Sequence, residues 1–154
     1  MSLLITKAKP NPAGKDRVGR TFTPLLQLVA EWIDIKNTGA VPLKLDGVEL
    51  YHYAYLASGK TEWQLVTNFS GVLGAGETMR VHSGNPIAIT QMNFEDRNGA
   101  EYHIFSGKNY VWNNYKAEFP RLWYKPSQQW LDQTAYDAFP LEGKILVRIG
   151  QKLI

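Results

Sequence analysis

The sequence predicts an all-β fold, an antiparallel β-sandwich of about nine or ten short strands, and three observations carry that reading. Glu31 to Gly47 is written as strand, turn and strand. Ile33 and Ile35 alternate with Asp34 and Lys36 at the two-residue period of a half-buried strand, Asn37-Thr38-Gly39 supplies turn chemistry, and Leu43 and Leu45 resume the alternation. Turn signals recur at short intervals along the rest of the chain, with no amphipathic helical periodicity between them. Residues that favour strands are abundant: five Trp, eight Tyr and six Phe in 154 residues.

Taken in order, Leu3 to Lys9 reads as the first strand, and Pro10 to Asp16, with two prolines and a glycine, as a long loop. Leu25 to Asn37 reads as a second, longer strand region. Leu43 to Leu50 is the third, and its inward parity changes at Gly47, where a bulge reconciles Leu43 and Leu45 with Val48 and Leu50. Tyr51 to Leu56 and Thr61 to Val66, joined by Ala57-Ser58-Gly59-Lys60, form a hairpin. Gly74 to Glu77 turns into Thr78–His82, with Met79 and Val81 inward and Thr78, Arg80 and His82 outward. Ile87 to Phe94 fits a strand or a short helix equally, since eight residues do not separate the two periods. Asn98-Gly99 marks a tight turn before Tyr102 to Phe105. Val111 to Asn114, Leu122 to Tyr124, Gln129 to Tyr136 and Lys144 to Ile149, with an exposed Arg148, complete the series.

A chain of this length builds one core. Residues 5–136 form the sandwich, and 137–154 add an accessory C-terminal strand packed on the same domain, with the boundary near Asp137-Ala138-Phe139-Pro140. No run approaches the ~18 apolar residues of a membrane helix. The first five residues reach Lys7 and Lys9 too soon for a signal-peptide core. With no cysteine there is no disulfide framework or thiolate chemistry, and the compartment and oligomeric state stay open. Net charge is +3, and the first twenty residues hold Lys7, Lys9, Lys15, Arg17 and Arg20 against Asp16 alone. Such an arm fits a solvated edge or, alternatively, contact with nucleic acid or another polyanion.

Four stretches, in order, resemble the lamin tail domain. Ile5 to Asp16 resembles that family's opening strand and Pro-Gly-Asp loop. Glu31 to Leu50 resembles its Glu-x-Val-x-Ile-x-Asn-x-Gly segment with the subsequent Leu-x-Gly-x-x-Leu. Leu73 to Gly84 is similar to its turn and strand, and Val111 to Asn114 with Ala117, Glu118 and Leu122 is similar to its Trp-Asn-Asn segment with the Gly-Asp and leucine beyond it. The chain departs from the pattern at Val48, where the family commonly has Trp. It departs again at Ala117-Glu118, which replaces Gly-Asp with one additional residue, and in the long excursion from Asn85 to Phe105. The resemblance implies an immunoglobulin-like sandwich of bacterial type, acting as a non-catalytic adhesion or binding module. Family members are associated with protein partners, with nucleic acid in eukaryotes, and with appended enzymes or surface tethering in bacteria.

The residues themselves offer little for catalysis. His52, His82 and His103 lie on three separate strands without metal-ligand spacing and read as exposed strand histidines. No Gly-x-Ser-x-Gly elbow or phosphate-binding glycine loop is present. Glu95-Asp96 reads as a hydrated hairpin tip without the alternating ligands of a calcium loop. No catalytic residue, metal site or cofactor is expected. The aromatic residues are the candidates for recognition. Tyr51, Tyr53 and Tyr55 share one face of the hairpin, with Trp63 placed either to join them or to lie behind His52 and Leu56. Such a ladder suits sugars, bases or an apolar partner, and equally the lining of a core. Trp32 lies opposite Ile33 and Ile35, so its indole needs a cover or a partner. Trp123, Tyr124 and Trp130 flank a turn as a second patch, while Trp112 and Leu122 read as core. The expected function is non-enzymatic binding of a protein or cell-surface polymer through an aromatic strand face or a sheet edge. The alternatives are polyanion binding by the basic arm and carbohydrate binding on the hairpin.

Overall fold

Strand alternation sorts the side chains of this chain onto two sheets that pack face to face around one core. The computed structural model describes residues 2–14 and 24–154. Its strands are β1 (Leu3–Lys9), β2 (Trp32–Asn37), β3 (Leu43–Lys44), β4 (Val48–Tyr55), β5 (Thr61–Asn68), β6 (Val72–Leu73), β7 (Thr78–His82), β8 (Tyr102–Phe105), β9 (Arg121–Tyr124), β10 (Gln129–Gln133), β11 (Leu146–Ile149) and β12 (Lys152–Leu153). They form a six-stranded sheet, β12-β11-β1-β2-β7-β8, a four-stranded sheet, β10-β9-β4-β5, and the small pair β3-β6. The fold is an all-β sandwich. Ile5, Ile33, Ile35, Met79 and Val81 of the larger sheet share one core with Val48, Leu50, Val66 and Leu122 of the smaller, and Trp112 and Tyr136 join it from connecting segments. Each such aliphatic burial contributes roughly 1.5–3 kcal/mol.

Three local readings of the sequence are corrected. Leu25 to Val29 is not strand but a short helix, α1 (Leu25–Val29), entered from Pro24 at φ −60. Unbranched Leu and Gln are good helix formers, and a five-residue apolar run carries no period that reveals it. At Gly47 the parity change is a turn rather than a bulge, with Val48 donating to the Leu45 carbonyl. The chain there leaves the β3-β6 pair for the four-stranded sheet. Gly47 has φ +86, and a Cβ would stand 2.8 Å from the Pro126 ring, so glycine is required twice over. The register shift in the β4–β5 ladder lies instead between Leu50 and Tyr51. Val111 to Asn114 forms no strand and is held by side chains described below.

The pairings between these strands are antiparallel except β7–β8, which is parallel, with Arg80 beside His103. Parallel neighbours need a crossover, and residues 83–101 supply it. This segment contains a 3-10 turn at Ile89–Gln91 and the helix α2 (Phe94–Arg97), so the ambiguous stretch Ile87 to Phe94 holds one 3-10 turn and no strand. It folds over the outer face of the six-stranded sheet. The C-terminal segment contributes two strands rather than one, β11 against β1 and β12 against β11. Arg148 is mostly buried, not exposed: it bonds the buried Asp132 carboxylate and the Ile5 carbonyl, while the Ile5 amide donates to Asp132 at 2.8 Å.

Candidate functional site

On the outer face of the larger sheet, β2 places Trp32 and Asp34 between Lys9 and Lys7 of β1 and His82 and Arg80 of β7. The crossover seals most of this row. Trp32 is completely buried, donating its indole N–H to Asp96 Oδ1 at 2.9 Å, with the Arg80 guanidinium 3.6 Å above its ring. Arg80 grips both Asp34 oxygens at 2.6 and 2.8 Å and donates to the carbonyls of Glu95, Asp96 and Asn98. Lys9, at 2% exposure, bonds Glu95 at 2.6 Å and Asp96 at 2.7 Å. Three expectations are thereby corrected. Trp32 has the outward parity read from sequence but is covered, so it is no contact residue. Lys9 is an internal ion-pair partner, since a buried ammonium persists only when paired. Asp96 is an inward anchor rather than part of a hydrated tip, while Glu95 reaches Lys9 from a half-exposed position. Of the proposed basic arm, Lys7 is exposed, and Lys15, Arg17 and Arg20 lie outside the described residues.

The histidines are also corrected, because burial claims two of them. His82 Nδ1 lies 2.6 Å from the Val29 carbonyl, which only accepts, so Nδ1 carries the proton and Nε2 faces His103 Nδ1 at 2.8 Å. Burial pushes the His82 pKa down to about 3. His52 is buried on the inner side of β4, with Nδ1 3.4 Å from Glu118. Among the described residues no group of three His, Asp or Glu side chains is placed to hold a metal.

The four-stranded sheet is different. On β4 the even residues Val48, Leu50, His52 and Ala54 point into the sandwich, so Tyr51, Tyr53 and Tyr55 face outward. Trp63 stands directly across from Tyr53, and Trp123 across from Trp130. The two proposed patches are therefore one, except that Tyr124, of opposite parity to Trp123, packs against the core instead. Tyr53 contacts Tyr55, Trp63 and Phe119 at ring separations of 5.4, 4.9 and 5.5 Å. Trp130 contacts Tyr51, Trp63 and Trp123 at 5.9, 5.4 and 4.7 Å. Trp63 and Trp130 come from opposite edge strands and meet over the two central ones. Beneath that arch lies Arg121, which the sequence reading missed although it shares the parity of Trp123. Its guanidinium carbon is 4.3 Å from the Trp63 ring and 5.2 Å from the Trp130 ring. Burial lowers the Arg121 pKa, and Nε is sealed from solvent without a hydrogen-bond partner. The rings themselves remain partly exposed.

Two buried carboxylates fix the segments around this face. Glu118 accepts from the amides of Tyr53 at 2.7 Å, Asn113 at 3.0 Å and Phe119 at 3.0 Å, and from the Asn113 side chain at 2.7 Å. Glu31 accepts from the Ser83 hydroxyl at 2.6 Å and the Val111 amide at 3.0 Å. Asn37 closes the turn after β2, donating to carbonyls of Val41, Leu73 and Gly74 and accepting from the Gly39 amide. Elsewhere, a groove of about 500 Å³ borders Lys7, Lys36, Asp34 and Arg148, and its carboxylate is the one already engaged by Arg80.

No protein-family model and no curated protein matches this chain. Among solved structures, the chain is similar to a β-glucosidase involved in saponin metabolism from intestinal bacteria, with 13% identity and a TM-score of 0.35. The likeness covers 87% of this chain and 16% of that one, so the chain spans a small fraction of that protein's length.

Proposed function

We propose that this chain is a non-enzymatic interaction module of bacterial lamin tail type that engages a protein or cell-surface polymer through the outer aromatic face of the four-stranded sheet. The observation that carries the reading is the gathering of Tyr51, Tyr53, Tyr55, Trp63, Trp123 and Trp130 on one partly exposed surface. Large, stiff aromatic side chains supply contact area at low entropic cost and dominate recognition surfaces. The face is favoured over the neighbouring edge because the Lys108 ammonium donates to the Leu65 carbonyl of β5, taking an acceptor that an added strand needs and placing a charge there. The non-enzymatic reading is supported by how the buried acids are engaged. Asp34 holds Arg80, Asp96 holds Lys9 and Trp32, Asp132 holds Ile5 and Arg148, and Glu118 holds backbone amides. The lamin tail reading is supported by Glu31 and Asn37, which sit at motif positions and join the segments those motifs span, and by Glu118, an acid standing where the family has the Asp of Gly-Asp.

The test is retention on isolated bacterial cell envelopes, which present both proteins and polymers. Trp63→Ala/Trp130→Ala lowers affinity by roughly 30-fold or more, the weight of a lost hot spot. Far-UV circular dichroism checks that the fold persists. Equal retention of wild type and variant, or retention of neither, overturns the proposal.

A further inference from the structure

Arg121 is the least expected residue of the aromatic face. It projects from β9, opposite Tyr51 on β4, beneath the arch of Trp63 and Trp130. Among the described residues no carboxylate lies within salt-bridge reach of its guanidinium, whereas Arg80 and Arg148 each hold an aspartate. Its Nε is sealed without an acceptor. A partly desolvated cation gains from an anionic partner, and stacking on indoles offsets only part of the cost of leaving water. The guanidinium also presents a planar fork that matches a carboxylate in two parallel hydrogen bonds.

The surroundings narrow the anion. Adjacent rings meet at 54° to 90°, so the surface is ridged and does not fit a flat crystalline polymer face. A single extended chain of saucer-shaped rings can lay apolar faces against such ridges. Glu49 stands on the same side of β4, its Oε1 3.5 Å from the Tyr51 hydroxyl. That acid opposes a backbone carrying a phosphate at every residue, while it leaves room for a ligand with one carboxylate placed at Arg121. Proceeding from the aromatic-face reading above, we infer that the face binds a carboxylated polysaccharide, with Arg121 receiving a uronate carboxylate and Trp63 and Trp130 packing against the sugar rings.

The experiment compares binding to polygalacturonate, alginate and hyaluronate with binding to fully methyl-esterified polygalacturonan, which keeps the sugar backbone and loses the charge. Single-stranded oligodeoxynucleotide serves as a further arm. Wild type binds at least one of the acidic polymers and discriminates against the ester. Arg121→Gln lowers that affinity roughly 10- to 100-fold, as expected for charge-assisted hydrogen bonds, and Arg121→Lys falls between. Thermal melts confirm that the variants are folded, and Arg121→Lys keeps the test informative if Arg121→Gln is not. Equal binding of acid and ester, abolished by Trp63→Ala, overturns the carboxylate inference and leaves the aromatic-face reading standing. Binding of none of the acidic polymers overturns the inference, and retention on cell envelopes then judges the wider reading separately. Arg121-dependent binding of the oligonucleotide in place of the polysaccharides also overturns it.

Discussion

Replacing Arg80 with Met tests whether the crossover is locked down by a desolvated ion pair. The side chain makes two bonds to Asp34, at 2.6 and 2.8 Å, and three to backbone carbonyls, at 2.8, 3.1 and 3.1 Å, and it stacks 3.6 Å above Trp32. At about 1.5–3 kcal/mol for each charge-assisted bond, a simple sum is comparable to the ~5–15 kcal/mol stability of a whole domain. That sum is not reached, because residues 83–101 lift away at lower cost and readmit water to Asp34. The expected loss is the ~3–5 kcal/mol typical of breaking a buried pair from one side. Asp34→Leu alone costs a similar amount by stranding the guanidinium. The double variant Asp34→Leu/Arg80→Met strands no charge and is less destabilised than either single variant, with a coupling of about 3 kcal/mol or more. Urea unfolding of the four proteins, followed by far-UV circular dichroism, measures the cycle. A loss below about 1 kcal/mol for Arg80→Met with an unchanged denaturant slope, or simple additivity in the double variant, refutes the reasoning.

Other consequences concern single residues. His82 is held near pKa 3 when folded against 6.5 when unfolded, so the unfolded chain takes up the proton first. Its contribution is complete above about pH 6.5 and is lost as pH falls toward 3, about 2 kcal/mol of it already by pH 5. Urea midpoints at pH 7.5 and pH 5 detect this loss, and His82→Gln flattens the difference; an equal slope in both proteins contradicts the assignment. Glu118→Ala leaves the Tyr53, Asn113 and Phe119 amides without their acceptor and costs about 3 kcal/mol or more, while Glu118→Gln keeps an acceptor oxygen and costs less; urea unfolding ranks the two. Phe139 is 71% exposed at φ +61, so Phe139→Gly relieves backbone strain with little lost burial and raises stability by up to ~1 kcal/mol in a thermal melt.

Local alternation was legible; the cover that lies above a sheet was not. The inward assignments of Ile33, Ile35, Met79 and Val81 follow from a period of two, and so does the placement of Tyr51, Tyr53 and Tyr55 on a common face. For Trp32 the same parity gives the correct side of the sheet and the wrong exposure. Its cover arrives from Asp96, 64 residues away, and no period links the two. Lys9 reads as part of a basic arm for the same reason, its acids lying 86 and 87 residues downstream. Leu25 to Val29 fails differently, since an apolar run of five fits both helix and strand. Arg121 carried a readable signal, the alternation Arg121-Leu122-Trp123 around a core leucine. Its meaning depends on Trp63 and Trp130 reaching over the sheet from opposite edges, which is a tertiary fact.

The two outer faces meet the same difficulty, a sheet surface with large side chains and no second sheet to bury it, by different chemistry. The six-stranded sheet is covered by its own crossover, and the groups beneath the cover bond one another: Arg80 with Asp34, Lys9 with Asp96, Trp32 with Asp96. Among the described residues the four-stranded sheet is covered by its own rings and by Phe119 at one end, which shelter one another from the sides, around a guanidinium with no carboxylate in salt-bridge reach. Substitutions on the first face therefore act on stability, because they strand desolvated charge. Under the proposed function, substitutions of Trp63, Trp130 or Arg121 act chiefly on binding, because their partners within the chain are other partly exposed rings. Stability and binding measured on one panel drawn from both faces separate these assignments. A panel in which Arg121→Gln costs as much stability as Arg80→Met, without altering any binding, places both faces in the scaffold and removes the aromatic surface from consideration as a site.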